Sequence, residues 1–207
     1  MFSSFKNIIF ISVCCIYFLL VACQSKPLTA WNLLSSESKI NYVSVKNNDL
    51  MENNSFEIFE GFVGLDGEAE LIIDLNSVNT NNVIRDERMR EILFKTETHP
   101  FAKITALLDL SDYEKLSIGS SLVKNLDFNF SFQGLSSTYE AKIEVYRLSV
   151  NKVLVKSVEP IFIYGDDYDL YPGLQKLQKL AGLDSITPVV PVIVSLIFER
   201  KRGFIIH

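Results

Sequence analysis

The strictest pattern in the chain is the alternation of apolar and polar residues over positions 126–133, which read LDFNFSFQ. Apolar residues at every second position are typical of a β-strand with one buried face, because successive side chains of a strand point to opposite sides. The same alternation runs through positions 68–75 and 139–145. Weaker strand patterns begin near Lys39, Phe56, Phe101, Asn151 and Val189. The chain therefore predicts about eight strands.

Two segments break this period and predict short helices, at positions 83–94 and 171–181. The first follows Asn81 and Asn82, either of which can cap its start, and the second ends before Gly182, a residue suited to a helix C-terminus. Short turns such as Asp66-Gly67 join the strands in an antiparallel manner. We therefore predict a mainly β fold, an eight-stranded antiparallel barrel with two short helices. A barrel of this size either fills with side chains or holds one small ligand.

The N-terminus has the pattern of an export signal. Fifteen residues, positions 8–22, are apolar except for Ser12, and the segment ends LVAC at Cys23. That is short for a membrane-spanning helix and suits a secretory signal. The ending resembles a bacterial lipobox, in which cleavage precedes an acylated cysteine. The alternatives are an uncleaved anchor, or an ordinary signal followed by a chance cysteine. The predicted organisation is a lipoprotein signal peptide at 1–22, a lipidated tether at 23–30 and a barrel domain at 31–207.

This organisation predicts a bacterial cell-envelope protein held to a membrane by its N-terminal lipid anchor, with palmitate-type acylation at Cys23. Gln24 follows the cysteine; by resemblance to proteobacterial lipoproteins, its presence in place of an aspartate favours the outer membrane and a periplasm-facing domain. Cleavage would also remove Cys14 and Cys15, leaving no free thiol. The formal net charge of the whole chain is −5, so a nucleic-acid partner is not expected.

Residues suited to catalysis or metal binding are few. The chain has two histidines, His99 and His207, and no G-x-S-x-G motif. The acidic cluster 166–169 lacks the later glutamate of a calcium loop. We expect neither an enzyme nor a resident metal or cofactor.

Positions 73–80 (IDLNSVNT), followed by 85–89 (RDERM), resemble the YceI-like family. Further landmarks of the resemblance are Trp31, Ser38, Gly61, Gly64, Phe94, 99–102 (HPFA), Val155, Ser157, Glu159, Pro160, Leu177, 181–183 (AGL), Ile186 and 190–192 (VPV). The resemblance spans roughly positions 31–198. It implies a lipocalin-like barrel that holds a polyisoprenoid, or a similar amphiphile such as a quinone or a fatty-acyl chain.

If the barrel is hollow, its inward side chains would bind the hydrophobic ligand. The positions expected to face inward are Ile40, Tyr42, Phe56, Ile58, Leu71, Ile73, Ile104, Phe128, Phe130, Ile143 and Val145. Phe128, Phe130 and Phe132 stand where the family usually has aliphatic residues. Facing inward, they would narrow the cavity and favour a shorter or thinner chain.

Two alternatives stay open at this point. The same inward residues could form a filled core, in which case the protein would be a non-catalytic interaction or structural lipoprotein. The charged cluster 85–90 (RDERMR) could recognise a ligand head group, or it could be a solvated helix that Arg85 and Asp86 tie to the preceding turn. A homodimer is compatible with either reading.

Overall fold

The computed structural model describes residues 29–200. The predicted signal peptide at 1–22, the predicted lipidation site Cys23 and the C-terminal His207 lie outside the described residues. The strands are β1 (Thr29–Leu33), β2 (Lys39–Lys46), β3 (Leu50–Phe56), β4 (Phe59–Gly64), β5 (Glu68–Asp74), β6 (Val78–Asn79), β7 (Phe101–Leu107), β8 (Ser121–Phe132), β9 (Leu135–Arg147), β10 (Lys152–Ser157), β11 (Ile161–Tyr164) and β12 (Val189–Glu199).

Short helical elements connect these strands. The α-helices are α1 (Val83–Arg88), α2 (Ser111–Glu114) and α3 (Tyr171–Ala181). A π-helical turn, Met89–Phe94, continues α1, and 3-10 turns cover Ser35–Glu37, Leu75–Ser77 and Gly165–Tyr168. None of the helices within residues 29–200 has the length and apolar character needed to cross a membrane.

The strand segments combine into eight paths around a closed antiparallel barrel. β1 and β2 form one path, since β1 pairs with β4 while β2 pairs with β3. In the same way β3 continues as β4, β5 as β6, and β10 as β11. β12 pairs with both halves of the first path and closes the barrel. The predicted fold class is confirmed, and the closure leaves no open sheet edge at β1 or β12.

Interruptions within the paths change which residues face the interior. Before the break at 57–58, the inward residues of β3 are even-numbered, such as Asn54; after it, the inward residues of β4 are odd-numbered, such as Phe59 and Val63. Because side-chain direction alternates with a period of two, this change means that the break adds one residue to the path, as a β-bulge does. The predicted inward position of Ile58 is therefore wrong: it lies in the break, and 61% of its surface is exposed.

Both predicted helices are present at the predicted bounds, although the first changes to a π-helical turn at Met89. Asn82 caps α1 by accepting a hydrogen bond from the backbone N–H of Arg85 at 3.1 Å. α3 ends at Gly182 in the left-handed conformation, with φ of 64°. α3 approaches the π-helical turn closely at Gly173, where an added Cβ would lie 3.1 Å from the carbonyl oxygen of Ile92. The two helical segments thus pack together over one end of the barrel.

Candidate functional site

A cavity of about 620 Å³ fills the interior of the barrel and extends beneath α1 and α3. Its wall is built from inward residues of the strands together with the apolar stripe of α3. It reaches the surface between Leu50 on the β2–β3 hairpin and Ile84 on α1, which are 51% and 64% exposed. We call this opening the mouth. The cavity therefore has a buried apolar body and is accessible at the mouth.

Most of the predicted interior residues lie on this wall. Those that line the main cavity are Ile40, Tyr42, Phe56, Leu71, Ile73, Ile104, Phe128 and Phe130. Ile143 and Val145 line a second, smaller cavity of about 180 Å³, whose wall also includes Trp31 of β1. Ile58 lines neither of the two. That the placed residues bind a ligand stays a prediction.

The two cavities are neighbours within the barrel. Their shared wall consists of Leu71, Ile104, Phe128, Ile161 and Val194. These residues belong to β5, β7, β8, β11 and β12, and they separate the main cavity from the smaller one near Trp31. An extended chain that entered at the mouth would meet the smaller cavity beyond this layer.

Aromatic side chains of β8 point inward, as the sequence suggested. Phe130 and Phe132 stack with their ring centroids 6.2 Å apart, and both pack edge-on against Tyr168 at 5.2 and 5.8 Å. Tyr168 is 1% exposed and donates a hydrogen bond from its hydroxyl to the carbonyl oxygen of Phe130 at 3.0 Å. The rings thus form a rigid part of the cavity wall, and the third phenylalanine, Phe128, lies at the junction of the two cavities.

Several wall residues were not predicted from the sequence. Many of the apolar ones come from the helical segments and from the last strand, among them Met89, Leu93, Leu170, Leu174, Leu177, Val190, Val192 and Val194. A signal for Leu174 and Leu177 was present, because they share one face of an amphipathic helix. The polar ones near the mouth include Ser44, Lys46 and Asn54. Ser44 and Lys46 share the parity of Tyr42 along β2, which could have identified them.

Charged groups concentrate at the mouth. Among the described residues that line the main cavity, the charged ones are Lys46, Arg85 and Arg88, and none is acidic. Glu52 stands just outside this lining and pairs with two of the three cations, with Lys46 and with Arg85 Nη1, the latter at 2.6 Å. The mouth is therefore positively charged in a protein whose formal net charge is negative.

Arg85 and Asp86 attach α1 to the preceding segment, the structural role considered for them from the sequence. One carboxylate oxygen of Asp86 accepts hydrogen bonds from the backbone N–H of Thr80 at 2.9 Å and from its hydroxyl at 2.5 Å. Arg85 Nε donates to the Thr80 hydroxyl at 2.7 Å. Thr80 is 3% exposed, so these bonds satisfy polar groups that would otherwise be buried without partners. They also hold Arg85 against the mouth.

Two ionisable groups at this end have shifted pKa values. Partial burial acts to raise the pKa of Glu52, but hydrogen bonds and positive charge from Lys46 and Arg85 outweigh it and hold the pKa below its ordinary value. Burial raises the pKa of Tyr42, and the negative charge of Asp86 acts in the same direction. The Tyr42 hydroxyl donates to Met89 Sδ at 3.9 Å and so stays protonated in an apolar setting.

The lowered pKa of Glu52 predicts a pH-dependent contribution to stability. A depressed folded-state pKa stabilises the protein above the unfolded pKa of about 4.3, and the contribution is lost as the pH falls through the folded value. Glu52→Gln should therefore lower the free energy of unfolding by about 1 kcal/mol at pH 7. The difference from wild type should shrink below pH 4.3. Urea titrations across this range measure both effects.

Glu60→Gln is the matched control, since Glu60 is an exposed acid on β4. It should change the free energy of unfolding little at any pH. A Glu52→Gln penalty that is equally large at pH 7 and pH 3 would contradict the role assigned to the Glu52 ion pairs.

The acidic cluster after β11 has a structural arrangement. Asp166 and Asp167 lie in the 3-10 turn Gly165–Tyr168, and Asp167 accepts a hydrogen bond from the Tyr139 hydroxyl at 2.6 Å. Asp169 ends the turn in the left-handed conformation. Within residues 29–200, no group of three or more His, Cys, Asp or Glu side chains is placed to hold a metal ion.

Comparison with known proteins gives consistent matches. Residues 31–196 match the model of the YceI-like domain. A polyisoprenoid-binding domain from Saccharophagus degradans, implicated in plant cell wall breakdown, is 34% identical, with a TM-score of 0.82 over 84% of this chain and 99% of that one. No curated protein matches this chain.

More distant structures share the fold. BcnA of Burkholderia cenocepacia is 16% identical, with a TM-score of 0.62 over 80% of this chain and 98% of that one. A Campylobacter jejuni YceI protein is 13% identical, with a TM-score of 0.53 over 72% and 85% of the respective chains. The barrel fold therefore persists at low sequence identity.

Proposed function

The chain belongs to the YceI-like family, and we propose that it is a carrier whose barrel encloses the apolar tail of a polyisoprenoid, a quinone or a fatty-acyl amphiphile. The main cavity is the observation that carries this proposal. Its volume of about 620 Å³ lies in the range of small-molecule sites, and its wall is mostly apolar. The relative from Saccharophagus degradans, 34% identical, is described as a polyisoprenoid-binding domain.

Binding would be driven by the transfer of the tail out of water. Each buried methylene contributes about 0.8 kcal/mol, so a tail of a dozen carbons supplies several kcal/mol after the cost of association. No covalent step is needed, and the protein is proposed to bind its ligand without transforming it. The apolar wall would provide the affinity for the tail of the ligand. The few charged residues at the mouth would select its polar head group.

The two cavities support a tail that is long and thin. The tail would enter at the mouth, cross the layer that contains Phe128 and end near Trp31. Because Phe128 is an inward aromatic residue of that layer, a slender chain passes it more easily than a bulky ring system. Ligands with a bulky ring would therefore keep the ring at the mouth.

A filled barrel that serves only as an interaction lipoprotein is the rival function. It requires an interior closed by side chains, and a cavity of about 620 Å³ argues against it. The two functions can be distinguished by experiment, because a carrier retains a small molecule in its cavity and a filled barrel does not.

We also propose that the protein is a lipid-anchored component of the bacterial envelope. The lipobox-like ending at Cys23 supports acylation of that cysteine after removal of residues 1–22. The resulting anchor would place the barrel on the periplasmic side, with the outer membrane favoured by Gln24. Stable anchoring needs two acyl chains or a second signal, a condition that a diacylglyceryl group meets. Whether the anchored form is a homodimer stays a prediction.

Purification of residues 24–207 tests the carrier function. We expect native mass spectrometry to show a protein peak with an added mass of several hundred daltons, and solvent extraction to release a chain amphiphile of that mass. Protein that has been heat-denatured should no longer carry the added mass. A protein that is reproducibly empty, and that binds neither geranylgeraniol nor a menaquinone added back, would overturn the proposal.

A further inference from the structure

Arg88 is a cation of the cavity wall that has no acidic partner in the protein. It lies on α1, one helical turn after Ile84, and both residues line the main cavity. Residues four apart share one face of a helix, so the face of α1 that carries Ile84 at the mouth also carries Arg88. The side of α1 next to the opening therefore combines an apolar residue with a positive charge.

The other two cations of this wall are balanced by acids of the protein itself. Lys46 and Arg85 both pair with the carboxylate of Glu52. Arg85 and Asp86 form hydrogen bonds to the same threonine hydroxyl, so a second carboxylate lies beside Arg85. Two acids thus balance Lys46 and Arg85, and the positive charge left over at the mouth is that of Arg88.

The charge of Arg88 is uncompensated although the residue is only partly exposed. Within residues 29–200, its side chain takes part in no ion pair and donates no hydrogen bond. The acids nearest to it on the same helical segment, Glu87 and Glu91, are exposed and do not pair with it. A guanidinium stays charged at neutral pH and presents its N–H donors as a planar fork. Arg88 can therefore receive an anion that comes from outside the protein.

We propose that the polar end of the ligand is an anion, a phosphate or a carboxylate, that binds the Arg88 guanidinium at the mouth. This inference rests on the proposed carrier function and names the class of head group. Two oxygens of such an anion match the fork of an arginine side chain, and the resulting hydrogen bonds are charge-assisted. An alcohol or a quinone carbonyl accepts a hydrogen bond but leaves the positive charge unbalanced. Prenyl phosphates and fatty acids are therefore favoured over quinones and neutral alcohols.

Geranylgeranyl phosphate and geranylgeraniol test the inference on the wild-type protein, because they share a chain and differ in the charge of the head group. Calorimetric titration of delipidated protein at low ionic strength should show the phosphate binding about tenfold more tightly, the size expected for hydrogen bonds to a charged group. Added salt should reduce this preference, since the mouth is open to solvent and its charges are screened. Equal affinities would overturn the inference while leaving the carrier function intact. Failure of both ligands to bind would instead count against the carrier function.

Arg88→Gln provides the second arm. The substitution removes the charge and keeps a polar side chain, so the variant should bind the phosphate and the alcohol with similar affinity. Its affinity for the alcohol should stay near that of wild type, which shows that the variant folds and that the cavity is intact. Arg88→Lys keeps the charge and should retain part of the preference for the phosphate.

Arg90→Gln is the matched control. Arg90 lies two residues further along the same helical segment and is not among the residues that line either cavity. Its substitution removes the same charge from the protein and should leave the preference for the phosphate unchanged. An Arg88→Gln variant that still prefers the phosphate about tenfold would overturn the role of Arg88. Equal losses in the Arg88→Gln and Arg90→Gln variants would overturn it as well, because they would reflect overall charge.

Geranylgeranoic acid distinguishes the two kinds of anion. If the acid also binds more tightly than the alcohol, and loses this advantage in Arg88→Gln, the site accepts an anionic head group of either kind. If only the phosphate is preferred, and only through Arg88, the ligand is a phosphate ester.

Discussion

Replacing Val192 with tryptophan should lower the affinity for a chain ligand by about a hundredfold or more. Val192 lies on β12 and lines the main cavity, opposite Tyr42 on one side and Ile161 on the other. An indole at this position would occupy the space of roughly four methylene groups of the tail. At about 0.8 kcal/mol for each, the loss is about 3 kcal/mol. Titration with geranylgeraniol measures it.

Ile193→Trp is the matched control. Ile193 is the next residue of the same strand, points outward and is 49% exposed. The same substitution there adds the same side chain without entering the cavity, so the affinity should stay near that of wild type. Overpacking costs typically about 1–3 kcal/mol, and thermal unfolding of both variants reports it separately from binding.

The comparison distinguishes a container from a surface binder. If Val192→Trp folds and binds as tightly as wild type, the ligand does not occupy the main cavity. If both variants lose binding equally, the loss does not come from filling the main cavity. Either result would overturn the carrier function argued from the cavity.

Replacing Cys23 with serine should abolish acylation of the protein in its bacterial host. The thiol is the group to which the lipobox pattern assigns the lipid, and a serine hydroxyl does not replace it. We expect the Cys23→Ser chain to keep residues 1–22 and to show no acyl mass. Intact mass spectrometry of the membrane fraction, together with labelling by a palmitate analogue, measures both changes.

Cys15→Ser is the appropriate control. Cys15 lies inside the apolar segment of the proposed signal, eight positions before the proposed lipidation site. Its substitution should leave both cleavage and labelling at the wild-type level. Normal processing of the Cys23→Ser chain would contradict the lipoprotein assignment and with it the proposed attachment to the membrane.

The alternation along the strands predicted the barrel because strand side chains have a fixed period. Phe128 and Phe130 on β8, and Ile143 on β9, could be assigned to the interior from parity alone, since these strands run without a break. The apolar stripe of α3 was equally visible, because a helix repeats every 3.6 residues. Local periodicity is thus enough to assign the buried face of a strand or helix that runs without interruption.

The alternation of inward and outward residues gave the wrong direction for Ile58, because a contact with a distant segment of the chain fixes the break between β3 and β4. The hydroxyl of Ser77 accepts hydrogen bonds from the backbone N–H groups of Glu57 and Ile58, at 3.2 and 2.9 Å. Ser77 lies about twenty residues away, in the 3-10 turn between β5 and β6. The sequence of one strand alone does not predict this contact.

The sequence by itself determined the strand pattern, the family and the apolar character of the interior, because each of these follows from residues close together in the chain. Only the tertiary structure decided that the interior is hollow, and that Asn54, Glu52 and Arg85 meet at its mouth. Those three residues come from a strand and a helix about thirty positions apart. Barrel closure and strand register bring them together, and both depend on pairings that no local pattern specifies.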